Sequence, residues 1–296
     1  MKLRLSLRNS ERAARNSLIA ALIFLIFGCS GPQGPSYSIK NLSESLSKIC
    51  KNEYNIPIVS RLQGQTLWVY IPLEEELFIE SDKPQEYTKK FEVKSIDGSL
   101  EDGSINLDYD IREIPEAKES QNKKFNPQAM DKINKILRSL RRVIFSLKPD
   151  EYGPKFFIIA AADIKNGIEL IEITYIDDFK RAFYGIISWS EYQQRSLQDI
   201  KVSFEAIGDF KGRHIKFQDI DFKEFLVEQI RQRIRLKFNS PEAEKGANID
   251  KEVLKSIKNV LEIYKFRDFL VLDLRNLFTD NESSLSRAAV FEKIKE

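Results

Sequence analysis

The chain predicts an α+β protein in which helix-plus-β-hairpin units form mixed or antiparallel sheets packed against helices. Three observations predict it. A helical apolar period passes into extended β-branched or aromatic runs three times, over residues 39–71, 129–176 and 250–274. Gln63-Gly64 and Asn166-Gly167 sit between paired extended runs, where a tight hairpin needs residues that accept positive φ. A hydrophobic share of 42%, with 11% aromatic, is enough to fill one large or two ordinary domains.

The elements follow in order. Ile39, Leu42, Leu46, Ile49 and Cys50 share one face of a helix over 39–54, which makes Cys50 a small core residue. Residues 56–62 and 65–71 form the first hairpin, and "TLWVYIP" suits a strand buried on both faces. Two further runs, 91–96 and 105–111, flank the turn-rich "DGSLEDGS". Residues 115–128 hold little apolar content and are expected to be an exposed linker. On that reading an N-terminal α/β subdomain spans 39–114 and a C-terminal one 129–296. Met130, Ile133, Leu137, Leu140, Ile144 and Leu147 predict the next helix, with Pro127 near its start and Pro149 beyond its end. After the hairpin around Asn166-Gly167, Asp177 or Asp178 is expected to cap a short helix and Ser188 or Ser190 another. Asp221 with Glu224 opens a segment whose "QIRQRIRLKF" mixes helical and strand periods, leaving its later half open. A last helix over 250–264 leads into the strand-like "FLVLDL".

The first 28 residues are of another kind. Lys2, Arg4, Arg8, Arg12 and Arg15 precede ten apolar residues, 18–27, then Gly28 and Cys29. Ten residues fall short of the roughly 20 that cross a bilayer as a helix. Basic start, short apolar run and small residue at a cleavage point make a signal peptide. Ile26-Phe27-Gly28-Cys29 resembles the lipobox of bacterial prolipoproteins, with Phe27 bulkier than the usual small residue. The resemblance implies cleavage between Gly28 and Cys29 and lipidation of Cys29. Residues 29–38, rich in Gly, Pro and Ser, then form a flexible tether. Two or more acyl chains hold a protein to a bilayer where one is marginal. Ser30, rather than Asp, follows the cysteine, so the resemblance implies the outer membrane, facing the periplasm, in a host with two membranes, and otherwise the outer face of the cell membrane. The segments "KICKNEYN" and "TLWVYIPL" also resemble bacterial envelope lipoproteins, a likeness that carries no activity and no site residue.

Cleavage alters the charge. The whole chain has 47 basic and 45 acidic side chains; removing 1–28 leaves 42 and 44, a net −2 that calls for no polyanion and, with export, argues against nucleic acid. With Cys29 lipidated, Cys50 has no intrachain partner.

Catalytic signatures are sparse. His214, in "FKGRHIKF", is the only histidine, and beside Gly212 it is read as a turn or edge-strand residue. No nucleophile elbow, zinc-protease helix, Cys-x-x-Cys or phosphate loop occurs, so no metal and no cofactor is implied. Asp97/Asp102, Asp108/Asp110, Asp177/Asp178 and Asp219/Asp221 are paired carboxylates next to turns and helix starts. The polar surroundings of "SWSEYQQR" make Trp189, Tyr192 and Arg195 the candidate recognition surface. Three functions remain: a non-enzymatic envelope protein that binds a protein or polymer partner, a wall or polysaccharide hydrolase using two carboxylates, and a solute- or glycan-binding lipoprotein. A cleft with two free carboxylates favours the second, an aromatic-lined pocket the third, and an exposed apolar patch the first.

Overall fold

Two sheets organise the chain, and each takes strands from both halves of the sequence. A computed structural model of the protein describes residues 37–147 and 152–292. A 3-10 turn at Ile39–Asn41 leads into α1 (Leu42–Tyr54), then β1 (Val59–Gln63) and β2 (Thr66–Leu73). A long hairpin follows, β3 (Phe78–Glu101) and β4 (Ser104–Phe125), then α2 (Pro127–Phe145), β5 (Phe156–Asp163) and β6 (Ile168–Tyr175). Two short helices, α3 (Ile176–Phe183) and α4 (Trp189–Arg195), precede β7 (Leu197–Val202). The chain ends with α5 (Phe222–Asn239), α6 (Ile249–Ile263), β8 (Val271–Asn276), β9 (Asn281–Ser286) and α7 (Arg287–Phe291). Helices pack on mixed sheets, so the α+β class holds.

The first sheet runs β1-β2-β5-β6-β7 and the second β3-β4-β8-β9. Hairpin neighbours pair antiparallel, while β2 with β5 and β4 with β8 pair parallel. Leu42, Leu46 and Cys50 of α1 and Ile133, Ile136 and Leu140 of α2 cover the face carrying Leu67, Val69, Ile71, Phe157 and Ile159. Leu226, Ile230, Ile234 and Phe238 of α5, with Val253, Ile257 and Val260 of α6, bury the distal β3–β4 residues Phe91, Ile96, Ile105 and Leu107. Burial pushes the Cys50 thiol pKa up, as suits an apolar filler rather than a nucleophile.

Several expectations are corrected. Residues 115–128 are not a linker: β4 runs on to Phe125, and Asn126 caps α2 by accepting from the Gln128 N–H. This part of β4 pairs with β3 through Glu86↔Ser120 and Lys89↔Ala117, and most of its side chains are exposed. An exposed ribbon has no buried face, so apolar alternation never develops. The division into 39–114 and 129–296 fails as well. The parallel pairings join β2 to β5 and β4 to β8, so each core mixes both segments. Tyr37 and Ser38, placed in the tether, belong to the fold: the Tyr37 N–H donates to the Ser146 carbonyl at 2.8 Å and Ser38 accepts from Lys40. The signal peptide, the Gly28–Cys29 junction and the tether up to 36 lie outside the described residues. Neither Asp177 nor Asp178 caps α3, whose N-cap is Tyr175; both stand in its first turn. The ambiguous half of α5 is helical, with Ile230, Ile234 and Phe238 on its buried face and Leu236 outside. Among the described residues no helix is long and apolar enough to cross a membrane.

Candidate functional site

β7 is one of the two outer strands of the first sheet. One side of its backbone pairs with β6, from Ile168↔Val202 to Ile173↔Leu197. Its other side is closed only at the start, where the Gln232 amide of α5 donates to the Ser196 carbonyl at 2.7 Å and accepts from the Gln198 N–H at 3.2 Å. Antiparallel alternation points the N–H groups of Ile200 and Val202 the same way as that of Gln198, and among the described residues neither has a partner. Such an edge is a template for another strand. Its side chains add to the opportunity. Ile200, Val202 (67% exposed) and Phe204 (78% exposed) form an exposed apolar row along β7 and the 3-10 turn Phe204–Ala206 that follows.

A two-lobed groove lies beside this row. One lobe, about 870 Å³, runs between β7 and α5 and includes Asp199, Ile200, Gln232, Arg235 and Leu236. The other, about 550 Å³, lies between α5 and the β3–β4 turn. Both are bordered by Ile173, Leu197 and Glu228, so they adjoin. Phe225 is the only aromatic residue among those lining them, unlike the stacking surface that a glycan binder uses.

The segment after the apolar row, 207–221, straps the sheet face opposite α1 and α2. The Tyr70 hydroxyl donates to the Asp209 carbonyl (2.5 Å) and Trp68 Nε1 to the Gln218 carbonyl (2.7 Å). Asp219 accepts from the Gln65 N–H and the Thr66 hydroxyl, both at 2.8 Å. Gly212, at φ +61°, lets the strap lie on the Tyr70 ring, since a Cβ there would stand 2.8 Å from Tyr70 Cδ1. Gly212→Ala should therefore destabilise the protein by about 1–3 kcal/mol, from left-handed backbone strain and the displaced ring. Urea unfolding checks this, and a variant as stable as the wild type would contradict the account.

His214 locks the strap. Its Nδ1 lies 2.6 Å from Asp209 Oδ2 and its Nε2 2.5 Å from Glu169 Oε1 on β6, with Lys201 Nζ 3.2 Å from Glu169 Oε2. The expectation of a turn residue holds for its backbone, but the ring is buried between two carboxylates. Burial disfavours the imidazolium, yet the hydrogen bonds to Glu169 and Asp209 outweigh it and raise the His214 pKa. Burial works against the Asp209 carboxylate too, but the bonds from His214 and from the N–H groups of Lys211, His214 and Arg213 bring it down to about 2. The carboxylates meet opposite ring nitrogens, so the three side chains do not converge as metal ligands do. With His214 between them, they are also not free to act as a hydrolase pair.

The expected recognition surface divides. Trp189 is exposed, but Tyr192 and Arg195 are buried, because α4 turns that face toward α3 and β6. Tyr192 packs edge-on against Trp189, with its hydroxyl 3.4 Å from that of Thr174. Arg195 reaches Asp178 at 2.9 Å and Glu191 at 2.8 Å, and Arg233 holds Glu191 at 3.0 Å. This corrects the assignment: two of the three residues organise the interior and cannot meet a partner. Asp178, expected as a cap, is the buried anion of the cluster. Sequence reasoning missed the β7 row, though the alternation in "DIKVSFEAIGDF" is its visible trace.

No family model, curated protein or solved structure matches this chain.

Proposed function

We propose that this chain is a lipid-anchored bacterial cell-envelope protein, exported and held by lipidated Cys29, that works without catalysis by binding an envelope protein at the open edge of β7. The observation that carries the binding role is the unpaired β7 edge with its exposed apolar row. An extended partner segment adds a strand beside Ile200 and Val202, with side chains entering the groove against α5. The anchor rests on the order of residues 16–31 and places the protein on the outer membrane, periplasm-facing, where the host has one, or on the outer face of the cell membrane. The Glu169–Asp209 pair is engaged by His214, and the groove has little aromatic lining; both favour a protein partner over a sugar.

A photo-reactive residue at Val202 in the full chain, expressed in the native host, should cross-link to one envelope protein, and Cys29→Ala should move the chain out of the membrane fraction. Absence of any protein adduct, with sugar released from purified wall material, would overturn the binding role. A wild-type Cys29 found unlipidated would overturn the anchor.

A further inference from the structure

A lipid anchor at Cys29 holds one end of the molecule near the bilayer, and a second apolar surface stands at that end. We propose that the corner formed by the end of α3, the turn 184–188 and the start of α4 docks on the lipid–water interface of an anionic bilayer. The inference rests on the lipid-anchored reading for its orientation, and on its own geometry for the docking chemistry.

Tyr184 (69%), Ile186 (68%) and Trp189 (52%) are exposed at this corner. Gly185, at φ +70°, has nothing within 4 Å of where a Cβ would stand, so its outer side is open. The turn's N–H groups are already paired: those of Tyr184, Gly185 and Ile186 donate to the carbonyls of Lys180, Ala182 and Arg181. A turn whose N–H groups are already paired loses less on leaving water than one with open donors. The rings have a rigid base, with Phe145 5.4 Å from Tyr184 and Phe183 4.9 Å from Trp189. Tryptophan and tyrosine are the residues that settle at the headgroup level of a bilayer.

Charge points the same way. Arg141 is exposed with its guanidinium 4.9 Å from the Phe183 ring, and Lys180 and Arg181, the latter 3.8 Å from Asp178, stand on the last turn of α3. The acidic groups nearby are engaged: Asp178 with Arg195, Glu191 with Arg195 and Arg233, and Asp177 with the Tyr175 hydroxyl. Each basic side chain near an anionic surface adds to the attraction.

The chain itself selects the bilayer as occupant. The described residues begin at Tyr37, bonded to Ser146 beside Phe145, whose ring meets Tyr184. Eight residue steps separate Cys29 from Tyr37, so even a fully extended chain reaches at most about 29 Å. The corner is therefore held within reach of the membrane.

The test uses the lipidated full chain in phosphatidylglycerol vesicles containing brominated phosphatidylcholine, reading quenching of tryptophan fluorescence. Trp68, the second tryptophan, is half-buried on the first sheet. Wild-type protein should be quenched, Trp189→Phe should remove most of that quenching, and Ile186→Ser with Tyr184→Ser should weaken it while near-ultraviolet circular dichroism stays native. Anchored protein without quenching, or quenching unaffected by Trp189→Phe, overturns the docking face and leaves the anchor standing. Unlipidated Cys29→Ala chain that still shows Trp189-dependent quenching on these vesicles supports the face independently, even where mass spectrometry finds the wild type without lipid.

Discussion

Arg195→Ala should lower the melting temperature by roughly 6–20 °C, the result of removing one partner from a buried ion cluster at about 3–5 kcal/mol and 2–4 °C per kcal/mol. Arg195 is the guanidinium facing the Asp178 carboxylate, at 2.9 Å, and it also holds Glu191 at 2.8 Å. Burial works against its charge, but the bonds to Glu191 and Asp178 raise its pKa, so it stays a cation throughout the accessible pH range. Asp178 has little other support: Arg181 approaches only to 3.8 Å, and among the described residues Asp178 Oδ2 has no hydrogen-bond partner. Alanine at 195 leaves that carboxylate buried beside the Tyr264 hydroxyl, whose own pKa is raised by burial and then by Asp178. Glu191 keeps Arg233, so the loss centres on Asp178.

The penalty comes from stranding a charge, and this separates the account from one based on lost contact area. Asp178→Leu combined with Arg195→Met removes both charges and should recover most of the loss, because a paired apolar replacement is close to neutral where a single removal is not. Thermal unfolding of the two variants decides. Equal destabilisation of the single and double variants would show that packing volume, not the stranded carboxylate, dominates.

Elements with a buried face were legible in the sequence, and elements without one were not. α2 announces itself through Ile133, Leu140 and Ile144, which all face the core, and the β5–β6 hairpin through Asn166-Gly167 and two apolar runs. The outer β3–β4 ribbon and β9 are exposed, so their polar residues resemble a linker or a loop. β7 was hidden for a related reason, since Gln198, Asp199 and Lys201 interrupt its apolar positions and its partner lies on one side only. The candidate site depends on long-range placement. Glu169 is 45 residues from His214 and Thr66 is 153 from Asp219, separations that no local pattern encodes. α4 shows the converse error. Polar neighbours around Tyr192 and Arg195 suggested exposure, whereas Asp178 and Glu191 supply a buried partner that lets a charged residue turn inward.

His214→Gln should destabilise the protein most in mildly acidic solution, with the difference from wild type shrinking as pH rises. The raised folded-state pKa gives the sign. Below the unfolded histidine value, about 6.5, both states are protonated and the imidazolium contributes its full attraction to Glu169 and Asp209. As pH rises through the higher folded pKa the ring becomes neutral and that contribution is lost. Asp209 sets the other boundary: its folded pKa of about 2 lies below the ordinary carboxylate value near 3.9, so its contribution is present above the latter and lost as pH falls through the former. The lock on the strap is thus strongest between about pH 4 and 6.5, where both conditions hold. Glutamine can keep one hydrogen bond but not the charge between two carboxylates, and breaking a buried pair costs about 3–5 kcal/mol at that optimum. Because the strap follows directly from the apolar row at β7, amide exchange in 207–221 should rise in the variant before exchange in α1 or α2 does. Urea unfolding at several pH values reads the first effect. A wild-type minus variant difference that stays constant from pH 6 to 9 would sink the charged lock and leave His214 as packing against Tyr70 alone.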